Sequence, residues 1–183
     1  MMNIAAVFAQ LERETIAERV KDNMYMLART GRWLGGITPL GYVSEKVENL
    51  DKKDSKRFYF KLVQNDEIET VKLIFDKYLE LRSLNKLMTY LINHNIKSRK
   101  DCDFAVTTLR KILTNPIYCI ADKDGYDYFY SQDCNMCCTE SDCTGEFGFV
   151  GYAKTQVTAK NERINNYSEK WIISVGKHQG IID

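Results

Sequence analysis

Several things this sequence lacks narrow its function before any motif is read. No stretch is apolar for long enough to cross a bilayer and no secretory signal is recognisable, so the expectation is a soluble, cytoplasmic protein with no membrane partner. There is no glycine-rich phosphate loop and no zinc-protease pattern, which leaves nucleotide hydrolysis and metalloprotease chemistry without a carrier. The serines, Ser44, Ser83, Ser131 and Ser174 among them, sit in no activating motif. Histidine is scarce, and His178 has no paired nucleophile or base nearby in sequence, so it reads as structural or phosphate-facing. No catalytic residue and no cofactor is expected.

What is present suits a globular chain. Its 183 residues, 44% hydrophobic and 28% charged, allow one large domain or two small ones and argue against disorder. Six cysteines without a signal peptide fit a reducing compartment. Four of them, Cys134, Cys137, Cys138 and Cys143, fall within one short loop. Four thiolates complete a tetrahedral zinc site, but such sites usually join two knuckles across a longer insert. Free thiols and no metal are therefore expected, with zinc as the alternative.

The net charge of +1 conceals segregation. Leu84–Asn115 carries six Lys/Arg against two Asp, and Phe149–Lys177 carries five against two Glu. Between them, Ala121–Gly148 holds seven acids against Lys123. A nearly neutral chain can thus present a basic face to phosphates, although any one charge run also reads as plain solvated surface.

Met2–Arg29 contains neither Pro nor Gly and predicts a long helix. Ile4, Val7, Phe8 and Leu11 fall on one face, and Ala6, Ile16, Val20, Met24 and Leu27 on a second. Early turns that are apolar on two sides call for covering partners. We expect Met1–Leu11 to pack on a preceding domain, on a second copy of itself, or on both; an amphipathic helix docked on its own domain is the alternative. Gly31 suits a helix C-cap. Gly35, Gly36 and Pro39 then keep the backbone extended and allow close approach. Arg29 and Arg32 flank this arm, and slender arms with arginine fit the narrow minor groove of duplex DNA. Trp33 plugging the next domain's core is the competing reading, and the two are compatible.

FAQLERETIAERV followed by GRWLGGITPLGY resembles the junction between the catalytic and DNA-binding parts of large serine recombinases, the family of phage integrases and transposon resolvase-like enzymes. LRKILTNPIY and GKHQGII are similar to that family's DNA-binding domain, so the resemblance runs over essentially the whole chain. It implies three parts: residues 1–30 as the end of the catalytic domain's long helix, 31–42 as a DNA-contacting linker, and 43–183 as the recombinase-type DNA-binding domain. It also implies that the nucleophilic serine belongs to a body absent from this sequence, and that the family's zinc-bearing domain lies beyond its end.

Further along, Gly41–Val63 reads as a hairpin with a polar turn at Asp51–Ser55 and Phe58, Tyr59, Phe60, Leu62 and Val63 on the returning strand, whose aromatics read as core rather than as a base-stacking platform. Asp66–Leu81, a segment starting at Ser83, and Val106–Leu113 read as three helices, the first capped by Asn65 or Asp66. Ile117–Ala121, Phe149–Val157 and Lys170–Val175 read as strands, and Asp124–Gln132 as a short aromatic helix. The fold class is therefore α+β: a long N-terminal helix, a helix-turn-helix-like three-helix unit and small antiparallel β elements. In such a unit the last helix enters the major groove. Thr107, Thr108, Arg110 and Lys111 become base readers or phosphate ligands, and Arg99 and Lys100 backbone contacts. With Arg29, Arg32, Gly35 and Gly36 they make the expected surface for double-stranded DNA. Two rivals stay open: a DNA-binding regulator outside recombination, and a protein-interaction module using the apolar helix.

Overall fold

The computed structural model describes residues 4–49, 57–158 and 160–183. The expected turn at Asp51–Ser55 lies outside them. The architecture is α+β. α1 (Ile4–Ala28) leads into the extended linker and then a hairpin of β1 (Tyr42–Asn49) and β2 (Arg57–Gln64), paired antiparallel from Tyr42↔Gln64 to Asn49↔Arg57. Three helices follow, α2 (Ile68–Leu81), α3 (Leu84–Asn93) and α4 (Val106–Leu113), each packed on the other two. α5 (Lys123–Ser131) precedes a three-stranded sheet ordered β3 (Asn135–Met136), β7 (Ile172–Val175), β4 (Phe149–Tyr152), in which β3 joins β7 in parallel and β4 joins it antiparallel. β5 (Thr155–Val157) and β6 (Arg163–Asn165) form a small separate ribbon.

Periodicity explains the helical unit. Val71 and Ile74 of α2, Leu87 and Leu91 of α3, and Leu109 and Ile112 of α4 recur at helical spacing and meet Phe104, Tyr42 and Tyr118 in the main core. Ser83 caps α3 through its hydroxyl, which accepts from the Lys86 N–H. A smaller core gathers Ala121, Phe129, Cys134, Phe149 and Ile173 beneath the mixed sheet.

α1 stands apart. From Ala6 to Leu27 every side chain is exposed, and only Ala28 is buried. Docking of this helix on its own domain is thus not the arrangement found. Its end is bolted down instead. The buried Ser174 hydroxyl of β7 donates to the Ala28 carbonyl at 2.9 Å, and Gly31 turns the chain at φ +67°. A Cβ on Gly31 would lie 1.8 Å from the Val175 carbonyl oxygen, so only glycine fits.

Other expectations need correction. Ile117–Ala121 is not a strand. Pro116 sets the φ of a short 3₁₀ turn, Pro116–Tyr118, after which Cys119 and Ile120 bridge singly to Ile182 and Gly148. The strand expected over Phe149–Val157 breaks at Ala153, which adopts φ +55°. Of the aromatics expected in the core, Phe58 and Phe60 stay exposed on the hairpin and Tyr59 is half-buried, while Leu62 is the buried residue of that strand. Neither Asn65 nor Asp66 caps α2; Glu67 occupies that position without a side-chain cap bond.

Candidate nucleic-acid interface

The linker is fastened at both ends and free between. The Leu34 N–H donates to the Tyr152 oxygen at 3.1 Å, and the Tyr152 hydroxyl donates to the Arg32 carbonyl at 2.6 Å. The Tyr118 hydroxyl donates to the Leu40 carbonyl at 2.9 Å. Burial pushes the Tyr152 phenol up to about 12 and raises that of Tyr118 too, so both keep their protons as donors. Trp33 packs against the main core and bridges to Phe60. Between these pins, Gly35 and Gly36 both take φ +95° with open space where a Cβ would stand, and Ile37 is 94% exposed.

Arg99 supplies the third fastening. Its Nε lies 3.0 Å from both Glu67 carboxylate oxygens, and Nη1 donates to the Thr38 carbonyl and hydroxyl at 3.2 and 3.0 Å. Nη2 reaches Glu67 again and the carbonyls of Pro39 and Tyr42. One guanidinium thus ties the linker, the hairpin and the start of α2 together. Its hydrogen bonds hold the Glu67 carboxyl down at about 2, against partial burial that pulls the other way.

The linker, the loop 98–105, one face of α4 and the β4–β5 turn together wall an open groove of about 920 Å³. Arg99, Lys100, Lys111, Lys154 and Arg163 line it. Asp103 is the sole carboxylate among its described lining residues, and Lys97 holds it at 2.6 Å. None of the acids between Asp122 and Glu146 reaches this groove. Lys154 is half-buried, with Nζ 2.7 Å from the Asn115 Oδ1, and burial pulls its ammonium down to about 8.

Of the residues expected at a DNA surface, Gly35, Arg99, Lys100, Thr108 and Lys111 come together in this groove. Thr108 and Lys111, three apart on α4, share the face that looks into it. Thr107 and Arg110 are exposed on the neighbouring face, and Gly36 stands at the arm's tip outside the groove wall. Arg32 sits over the Tyr59 ring at 5.7 Å, and Arg29 lines two other clefts where α1 meets the domain. Sequence reasoning passed over Lys154, Tyr152 and Glu67. The excess of Lys/Arg in Phe149–Lys177 was the only signal for Lys154; the Glu67–Arg99 clamp, 32 residues apart, left none.

Outside the groove, His178 is buried with its Nε2–H donating to the Ile117 carbonyl at 2.8 Å and its ring edge-on to Tyr42 at 5.4 Å. Burial lowers its pKa, so it sits neutral as a structural donor. The six cysteines are free, and burial raises the Cys138 thiol to about 12. Among the described residues no group of three or more His, Cys, Asp or Glu side chains is placed to hold a metal, and no helix is long and apolar enough to cross a membrane.

Neither the curated proteins nor the solved structures contain a match to this chain. A protein-family model described as Recombinase does match, over residues 65–183. That span covers about two thirds of the chain and holds every groove residue except those of the linker. It also takes in the LRKILTNPIY and GKHQGII segments. With a basic groove built on that span, the chain belongs to the Recombinase family.

Proposed function

We propose that this chain is the DNA-holding part of a site-specific serine recombinase, gripping one half of an attachment site and positioning a strand-exchange domain through α1. The observation that carries this reading is the gathering of Arg99, Lys100, Lys111, Lys154 and Arg163 around one groove while the acidic segment stays off it. The groove follows phosphates, and α4 offers Thr107, Thr108, Arg110 and Lys111 to base edges or adjacent backbone. The Gly35–Ile37 tip, slender and exposed, suits a minor groove. Arg99 acts by fixing the arm rather than by lending charge, since Glu67 already neutralises it.

Titration of a labelled duplex across a salt series tests the reading. Four groove cations without a carboxylate partner among the described residues, Lys100, Lys111, Lys154 and Arg163, together with Arg110 on α4, predict a slope of log affinity against log salt of about −4 to −5. A salt-independent affinity, or no duplex binding at all, excludes it. Binding with the same slope by a chain that supports no recombination when joined to a serine catalytic domain would favour a DNA-binding regulator. Exposed Val7, Phe8 and Leu11 on α1, with Ile4 whose side chain lies outside the described ones, support self-association through the helix as part of the same proposal.

A further inference from the structure

The most buried cation of the groove has no counter-charge among the described residues. Lys154 is half-buried between β4 and β5, and its only polar partner among the described residues is the Asn115 Oδ1. No carboxylate among the described residues pairs with it. An ammonium withdrawn from water normally carries a counter-ion, and one amide oxygen satisfies one of its three donors.

The turn presenting it is held under strain. Ala153 takes φ +55°, a left-handed conformation that an alanine adopts only when its surroundings impose it. Asn166 imposes it from both sides of the peptide: its Nδ2 donates to the Ala153 carbonyl at 2.6 Å and its backbone N–H to the Lys154 carbonyl at 2.9 Å. From below, Pro116 fills the space against Gly151 of β4, where a Cβ would come within 3.0 Å of the proline ring, and so fixes Asn115 beside it. Both halves of the pair are set before any ligand arrives.

We infer that Lys154, oriented by Asn115, is the seat of one backbone phosphate of duplex DNA. A phosphodiester oxygen supplies the acceptor and the counter-charge that the site lacks. Lys111 and Arg163 on the groove walls sit where the neighbouring backbone would pass, and Asp103 is kept from competing by Lys97. The inference rests on the DNA-holding reading above.

The test uses the full chain and a labelled mixed-sequence duplex. Lys154→Met keeps the aliphatic reach and removes the charge. It is expected to weaken binding several-fold at low salt and to lower the magnitude of the salt slope by about one, whereas Lys154→Arg keeps the slope. Lys72→Met, on a surface away from the groove, serves as the reference and should leave the slope unchanged. Far-UV circular dichroism confirms that the variants fold; Lys154→Gln, which retains a polar partner for Asn115, replaces the methionine variant if that one does not. A wild-type slope in the charge-removed variant overturns this inference and leaves the broader reading standing. Absence of salt-dependent duplex binding in the wild type overturns both. Inorganic phosphate added at matched ionic strength should leave the difference between wild type and variant intact; if it erases the difference, the seat belongs to a free anion and not to DNA.

Discussion

The Arg99 guanidinium is saturated by Glu67 and four linker or hairpin oxygens, so its removal should be felt in stability before it is felt in DNA affinity. Glu67→Gln leaves the shape and removes the charge. The pair is partly exposed, so the expected loss is modest, roughly 0.5–1.5 kcal/mol at neutral pH. Its pH dependence has a definite sign. The Glu67 carboxyl is held at about 2 in the fold against an ordinary 4.5, so its contribution is present above pH 4.5 and disappears as pH falls toward 2. Urea unfolding of wild type and Glu67→Gln at neutral pH and near pH 2 checks this: the gap should close in acid, and a constant gap contradicts it. Lys154 runs the other way. Its folded ammonium titrates at about 8 and its unfolded one near 10.5, so between those values the unfolded chain binds more protons and stability rises with pH. Cys119 and Cys138 oppose this, because burial lifts their thiols from 9.0 to about 11 and 12 and their contribution is lost as pH climbs past 9. The difference between wild type and Lys154→Met isolates the lysine. The variant should be the more stable by roughly 1–3 kcal/mol below pH 8, with the advantage shrinking toward pH 10.5.

At the scale of elements, α4 is where sequence and structure agree best, and the reason is physical. Leu109 and Ile112 bury at helical spacing while Thr107, Thr108, Arg110 and Lys111 stay exposed, so one periodicity shows both the fold and the candidate surface. Arg110→Ala and Lys111→Ala should therefore leave the thermal midpoint within a degree or two and each weaken duplex binding; unchanged affinity in both rules out α4 as a DNA-facing element. The elements that sequence did not disclose are those without a period to read. β3 has two residues and β6 three, too few for alternation to register; β3 exists on the edge that the longer β7 offers it, and β6 pairs with the equally short β5. The exposure of Phe58 and Phe60 was illegible for a related cause, since strand composition does not say which side the body will cover. The Glu67–Arg99 clamp joins residues that only tertiary packing brings together. Gly31 was legible as the glycine that turns the chain after α1 but not as a contact. Its Cβ-free face against Val175 makes Gly31→Ala a severe change for one methyl group, expected to lower stability by roughly 2–4 kcal/mol in thermal or urea unfolding, through both the left-handed φ and the clash.

At the scale of the molecule, the division between α1 and the remainder bears on assembly. A helix of 25 residues extends for about 38 Å, yet among its described side chains only the last, Ala28, is buried. Val7, Phe8 and Leu11 are exposed together on one face of its first turns, and Ile16, Val20 and Met24 form a second exposed apolar line, on the other face, at four-residue spacing. Isolated apolar side chains on a surface need no explanation, but a line of them along a helix with no covering element is the pattern of an interface. The C-terminal end is fixed by the Ser174 hydrogen bond and the Gly31 turn, so two such helices meeting side by side would set the spacing of the two domains they carry. Sedimentation velocity over rising concentration should show a monomer–dimer equilibrium in the wild type. Paired Phe8→Glu and Leu11→Glu substitutions should abolish the dimer, because apposed carboxylates along a packed seam repel and lose hydration, while the domain's own unfolding midpoint stays put. Duplex binding to a single half-site should survive the same substitutions, since the groove lies on the domain and not on α1. A wild type that remains monomeric at the highest concentration removes the helix as a self-association surface, and a variant that loses half-site binding along with the dimer would mean that α1 itself touches DNA.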